Sequence, residues 1–139
     1  MKTIVVLLLI LMPALLIAGQ IPTVCHNELS SWIKTNQKLA IVDIQNAEEF
    51  REHNYADSLA SGNDPLRLKK IASRLRSTKG KVIVVSTTGG DDALQASELL
   101  VRGGVQRARI LLLEGGMDAA AKNATCDCCK PSSLQGEAK

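Results

Sequence analysis

The segment Lys81-Val82-Ile83-Val84-Val85-Ser86-Thr87-Thr88-Gly89-Gly90-Asp91-Asp92 decides the fold. Four consecutive β-branched residues follow Lys81 without a polar interruption. A strand with one wet face would alternate, so this one is predicted to be buried on both faces, as strands of parallel sheets are. The polar run from Ser86 to Gly90 then breaks the strand. Asp92 to Arg102 follows as a predicted helix, capped by Asp and closed by Gly103-Gly104. A buried strand therefore feeds a helix start through a glycine-containing loop. In open α/β sheets ligands sit beyond the carboxyl ends of the strands, and the amides of such a loop can face an anion. The loop lacks the Gly-Lys-Ser/Thr continuation of a nucleotide-binding loop, which excludes that reading.

Outward from this segment, strand and helix alternate. Upstream, Leu39 to Ile44 is a short apolar run read as a buried strand. Before it, Leu29, Trp32 and Ile33 share one helical face in the segment Glu28 to Lys34. Asn46 is a capping residue ahead of the acids Glu48 and Glu49, predicting a short helix through Glu52. After a loop through Ser61 to Asp64, Pro65 opens a helix with Leu66, Leu68, Ile71, Ala72 and Leu75 facing inward, ending near Lys79-Gly80. Downstream, Arg109 to Leu113 is another buried strand, and Glu114-Gly115-Gly116 a turn. The alternation predicts an α/β fold: three layers, a central parallel sheet with helices on both faces. Its central strands are expected at Ile41–Ile44, Val82–Val85 and Ile110–Leu113.

The ends of the 139-residue chain differ from its middle. Lys2 precedes an apolar run from Ile4 to Ala18, followed by Gly19. A positive start, an apolar stretch of about 15 residues and small residues at its end describe a secretory signal peptide over residues 1–19. Uncleaved, the segment would be a membrane anchor, although it is shorter than the roughly 20 residues a spanning helix needs and is interrupted by Pro13. The expected location is periplasmic or secreted, with a membrane contact only if the segment stays attached. A polar, cysteine-containing tail occupies residues 122–139. The formal charge of +3 is modest, and Arg67, Lys69, Lys70, Arg74 and Arg76 alternate with apolar residues as a solvated helix face does. Nucleic acid is therefore not an expected partner. Aromatic residues are limited to Trp32, Phe50 and Tyr55, so the core is aliphatic.

Three motifs carry a family resemblance. Ile41-Val42-Asp43-Ile44-Gln45-Asn46-Ala47-Glu48-Glu49-Phe50 is similar to the rhodanese pattern hydrophobic-Ile-Asp-Val-Arg-x-x-x-Glu-Phe/Tyr. Val82 to Gly90 resembles the strand and loop that carry the rhodanese cysteine, with Ala96, Leu99, Leu100 and Gly104 in the following helix. Leu113-Glu114-Gly115-Gly116-Met117-Asp118-Ala119 resembles the closing Leu-x-Gly-Gly-hydrophobic-x-Trp motif. The resemblance spans residues 23–121 and implies a rhodanese-like domain, in which Asp43 holds the loop after its strand by backbone hydrogen bonds.

The departures from the pattern bear on activity. In active members a cysteine opens the loop and takes up sulfur as a persulfide, stabilised by loop amides and a basic residue. Registering on Gly90 puts Thr87 at that position, and sliding by one puts Ser86 there. Neither forms a persulfide, and a hydroxyl is a poor nucleophile without an adjacent base. Asp92 aligns with the loop's usual arginine, next to Asp91, and Gln45 replaces the first motif's arginine. The usual Gly-His-Ile-Pro-Gly-Ala turn is His53 to Ser58. From Ser86 to Ala96 there is no Lys, Arg or His, although Arg51 or Arg67 could reach in from elsewhere. The degenerate loop Ser86, Thr87, Thr88, Gly89, Gly90, Asp91 and Asp92 is thus expected to keep a cradle shape without its charge complement, and no cofactor is expected.

The cysteines lie elsewhere, at Cys25, Cys126, Cys128 and Cys129. In an exported chain they form a disulfide set; bridging adjacent Cys128 and Cys129 is strained, which favours Cys25 to Cys128 or Cys129. The spacing also fits a reactive redox pair beside Lys130, or a soft-metal site of Cys126, Cys128 and Cys129. His26 and His53 read as surface or helix-start residues, and Asn123-Ala124-Thr125 as a glycan acceptor in a eukaryotic setting. Two functions follow: a binding or regulatory module for a partner protein or a small sulfur-containing ligand, or a thiol-dependent sulfurtransferase or redox protein using the tail cysteines.

Overall fold

The computed structural model describes residues 19–122. Five parallel strands, β1 (Thr23–Val24), β2 (Leu39–Asp43), β3 (Leu59–Ala60), β4 (Lys81–Val85) and β5 (Ile110–Leu113), form one sheet in the order β1-β5-β4-β2-β3. The helices are α1 (His26–Lys34), α2 (Ala47–Glu52), α3 (Pro65–Leu75), α4 (Asp91–Arg102) and α5 (Gly116–Ala121), with a 3₁₀ turn at Arg107–Arg109. β4 lies at the centre, with Ile83 opposite Ile41 on one side and Leu111 on the other. The three predicted central strands are the three central strands.

The β-branched run explains the layers. Side chains alternate across a strand, so Val82 and Val84 point to one face and Ile83 and Val85 to the other. The first pair joins Leu68, Ile71, Ala72 and Leu75 of α3 and Ala93, Ala96 and Leu100 of α4. The second joins Leu29 of α1 and Met117 and Ala120 of α5. All four β4 residues are fully buried, as a strand sandwiched between helix layers requires.

Several local expectations are corrected. Helix α1 starts two residues early, with Cys25 as its N-cap residue. Leu66 is 72% exposed rather than inward. It lies two residues from Leu68, and residues two apart cannot share a helix face. Helix α3 stops at Leu75 because side chains take its last carbonyls: Thr78 Oγ1 and Arg109 Nη1 both donate to Leu75 O, at 2.9 Å each. The N-cap of α4 is Gly90, not an aspartate, and Asp91 and Asp92 sit in the first turn, where their charge opposes the positive helix end. The short strands β1 and β3 and the helix α5 were outside the sequence expectation. No helix among the described residues is long and apolar enough to cross a membrane.

Candidate functional site

The loop Ser86–Gly90 leaves the carboxyl end of β4 and is fixed from within and from below. Ser86 is 1% exposed, and its Oγ accepts from Gly89 N at 2.7 Å, closing a tight turn. Met117 N donates to Ser86 O and Asp118 N to Thr87 O, each at 2.9 Å, so the start of α5 is the strut under the loop. That contact needs glycine. Gly116 has φ +61°, and a Cβ there would lie 2.5 Å from both Ser86 O and Thr87 O. A Cβ on Gly89, at φ +73°, would lie 2.9 Å from the Gly115 and Gly116 amide nitrogens.

Of the two residues in question, Thr87 faces the cleft. Its Oγ1 donates to Glu49 Oε2 at 2.8 Å, although the residues are 38 positions apart. Helix α2 delivers Glu49 because Asn46 caps it: Asn46 Oδ1 accepts from Glu48 N and Glu49 N, and Glu49 Oε2 accepts in return from Asn46 N at 3.3 Å. The sequence marks Glu49 only as a first-turn acid and a motif position. The carboxylate beside the hydroxyl becomes visible only in the fold.

Asp43 organises the other wall. Its Oδ1 accepts from Gln45 N at 2.9 Å and its Oδ2 from Gln45 Nε2 at 3.1 Å. Ser61 N and Oγ both donate to Asp43 O, tying in the loop after β3. Burial pushes the Asp43 carboxyl above its usual range; the Gln45 hydrogen bonds oppose the shift, and the nearby Glu49 charge adds to it. Gln45 Nε2 also donates to His53 O at 3.0 Å. The residue in the place of an arginine is therefore a buried amide, 6% exposed, stitching β2 to the turn after α2.

Between these walls lies a cleft of about 300 Å³, lined by Gln45, Glu49, Glu52, His53, Thr87, Met117, Asp118, Ala121 and Lys122. Three carboxylates and one ammonium face it, so its charge is the reverse of an anion site. Asp91 and Asp92 do not line it; Asp92 Oδ1 accepts from Ala93 N at 2.8 Å, within its own helix. Arg51 and Arg67 do not reach it either. They border a separate hollow with Asn46, Phe50 and Ala60, where Arg51 Nε donates to Ala47 O and Arg67 pairs with Asp64.

His26 and Tyr55 form a second polar cluster, in which Nδ1 of His26 bonds the Tyr55 hydroxyl and Nε2 lies 3.5 Å from Ser30 Oγ. Burial pushes the Tyr55 phenol up to about 12. His53, by contrast, is exposed on the cleft rim. Cys25 is 2% exposed and disulfide-bonded. Cys126, Cys128 and Cys129, the soft-metal reading built on them, the expected glycan acceptor and residues 1–18 of the expected leader lie outside the described residues. Among the described residues no three His, Cys, Asp or Glu side chains converge as a metal site.

No protein-family model matches this sequence, and no curated protein does. Solved structures do match. A rhodanese-related protein from Thermoplasma volcanium is 21% identical, with 76% of this chain and 95% of that one covered and a TM-score of 0.58. A yeast protein tyrosine phosphatase of the rhodanese family is 16% identical, covering 75% and 86%, with a TM-score of 0.60. An As-Sb reductase from Leishmania major is 13% identical, covering 75% and 79%, with a TM-score of 0.63. In fold, the chain is a rhodanese-like domain.

Proposed function

We propose that this protein is an exported binding or regulatory module on a rhodanese-like fold, without ordinary sulfurtransferase activity. The observation that carries the reading is the Thr87–Glu49 hydrogen bond at the mouth of the central loop. Sulfur transfer at this loop needs a thiolate near positive charge; here a hydroxyl is held by a carboxylate. Glu49 is an adjacent base, but a carboxylate is far too weak to ionise an alcohol near neutral pH. Glu52 and Asp118 add further negative charge against which a thiosulfate or phosphate would have to bind. The neighbours' names include a phosphatase and a reductase, so the fold selects no reaction and the site must decide.

The test is a thiosulfate-to-cyanide assay on wild type and on Cys126→Ser, Cys128→Ser and Cys129→Ser variants, with thermal melts in millimolar thiosulfate, sulfite and phosphate. No turnover and an unchanged melting temperature are expected, since a ligand that does not bind the native state cannot stabilise it. Turnover that disappears with a tail cysteine favours the alternative, a thiol-dependent sulfurtransferase or redox protein. The disulfide at Cys25 bears on that alternative, because an intramolecular bridge must use one of Cys126, Cys128 and Cys129 and leaves two of them over. A free-thiol count on protein from an oxidising compartment distinguishes a fully bridged staple from a remaining thiol pair. Export itself rests on the leader-like residues 1–19, and an N-terminus starting at Met1 on mature protein would contradict it.

A further inference from the structure

We propose that the groove between α3 and α4 docks an acidic amphipathic helix of a partner protein, with apolar side chains seated in two hollows and carboxylates meeting Lys69, Arg76 and Arg102. The groove shares no lining residue with the cleft at the central loop, and the proposal goes beyond the reading of that loop.

The two helices make the groove by what they keep out of the core. Leu68, Ile71, Ala72 and Leu75 of α3 and Ala93, Ala96 and Leu100 of α4 are buried together. Leu66 and Lys69 are left on the flank of α3 that meets α4, and Arg76 follows Lys69 seven residues, or two turns, along it. A Cβ on Gly104 would lie 3.6 Å from Arg76 Cβ, which places that arginine beside the end of α4. Gly103 is the floor. A Cβ there would collide with the Cβ of Ala72, so the missing side chain lets the helices touch and leaves the space above them open. One hollow of about 290 Å³ is lined by Pro65, Leu66, Lys69, Leu99, Arg102 and Gly103. A second, of about 410 Å³, is lined by Leu94, Gln95, Glu98, Leu99 and Arg102. Leu99 and Arg102 belong to both, so the hollows form one strip across the two helices. Leu66 is 72% exposed and Leu94 44%, one in each hollow. Single exposed leucines are ordinary, but two that border a continuous concave strip have the pattern of an interaction surface.

Charge decides the class of partner. Residues 65–76 hold five Lys and Arg and no acid, which leaves twelve cations against fourteen acids in the rest of the chain. Positive charge is therefore concentrated on this helix. Lys69 and Arg76 form no ion pair among the described residues. The one acid of the strip, Glu98, is already held by Arg107 at 2.7 Å. A partner that covers these cations strips water from them and must return negative charge. The hollows, in turn, reward side chains that project from a surface, and a plane of anionic lipid headgroups has none. An amphipathic helix repeats apolar anchors at each turn with carboxylates alongside, and so meets both requirements.

The experiment titrates the full-length oxidised protein with a helical peptide carrying leucine at heptad positions a and d and glutamate on both flanks. A twin peptide in which every glutamate is lysine is titrated in parallel. Saturable binding of the acidic peptide is expected at submillimolar concentration, with amide shifts at Leu66, Lys69, Leu94, Leu99 and Arg102. The twin should bind at least about tenfold more weakly. Leu66→Ser/Leu94→Ser changes only exposed side chains, and should melt like wild type and bind the acidic peptide about tenfold more weakly. Lys69→Glu/Arg102→Glu should reverse the preference, so that the basic twin binds more tightly. Absent saturation, equal affinity for the two peptides, or double variants that bind as wild type each overturn the proposal. Tighter attachment to phosphatidylglycerol vesicles than to the acidic peptide also overturns it, in favour of a lipid surface. Self-association that Leu66→Ser/Leu94→Ser abolishes overturns it in favour of a second copy of this chain. None of these outcomes touches the central loop, whose chemistry the thiosulfate assay tests on its own.

Discussion

The two ends of the sheet treat their polar groups in opposite ways. At the amino end the cations Arg109 and Lys81 each have a structural partner. Arg109 donates from Nε to Gly80 O at 2.7 Å, from Nη1 to Leu75 O at 2.9 Å and from Nη2 to Thr78 Oγ1 at 3.2 Å. Lys81 Nζ lies 4.8 Å from the centre of the Trp32 ring. At the carboxyl end, Glu49, Glu52 and Asp118 crowd one cleft against the single ammonium of Lys122. Satisfied groups hold a fold together, and groups left with unmet capacity are where a second molecule gains by arriving.

The largest effect should come from the strut beneath the loop. Gly116→Ala forces a Cβ into Ser86 O and Thr87 O at a positive φ, and should cost about 3 kcal/mol or more by chemical denaturation. A smaller loss would mean that the loop and α5 separate easily and that the cradle is not rigid. At the other end, Arg109→Met keeps the stem and removes three hydrogen bonds to partly solvated acceptors, for an expected loss of about 2 kcal/mol. If it matches wild type, the contrast between the two ends has no energetic content.

The third test addresses chemistry. Thr87→Cys should show little sulfur transfer because Glu49, rather than Asp91 or Asp92, lies against the new thiol and disfavours its thiolate. Adding Glu49→Gln should raise the rate about tenfold, equivalent to about 1.4 kcal/mol, and more than adding Asp92→Arg does. The reverse ranking would return the electrostatic control to the α4 helix start.

The smallest and most selective test uses the chain's single tyrosine. The Tyr55 phenol should titrate at about 12, above the usual value of 10, as followed by phenolate absorbance. The native state keeps this proton where the unfolded chain has released it. Its contribution to stability is therefore complete below pH 10 and is lost as pH rises from 10 through about 12. Tyr55→Phe should cost about 1 kcal/mol at neutral pH through the lost His26 bond and flatten that alkaline slope. An ordinary titration at 10 would show that the His26–Tyr55 cluster opens freely to solvent.

What the sequence revealed tracks how local the signal is. Val82 to Val85 declared a doubly buried strand because four β-branched residues in a row have one economical environment. Asn46 declared its helix because the capping oxygen acts two and three residues away. β1 and β3 were not legible, since two residues carry no period, and α5 hid behind Gly115-Gly116, which read as a turn. The loop residues Thr87 and Gly89 could be picked out from strand, turn and helix alone. The cleft could not. It exists because α2 brings Glu49 and Glu52, and α5 brings Met117 and Asp118, to one loop from opposite sides, and only tertiary packing sets that distance. The sequence reading placed the opposing charge on Asp91 and Asp92 because they are adjacent in the chain, when the carboxylate that matters comes from 38 positions upstream.

The pairing of β1 with β5 sets an order of events in time. Thr23 and Val24, among the first residues of the domain, are opposite Leu112 and Leu113, among the last, and Leu112 N and Glu114 N complete the edge by donating to Pro22 O and Val24 O. The sheet cannot be finished until nearly the whole chain is present, because its first strand has no other neighbour. During synthesis β1 must wait as an unpaired edge, and its contacts with β5 form across nearly the whole length of the described residues. Amide protection at Leu112 and Glu114 should accordingly appear after that of β4 in pulse-labelled refolding.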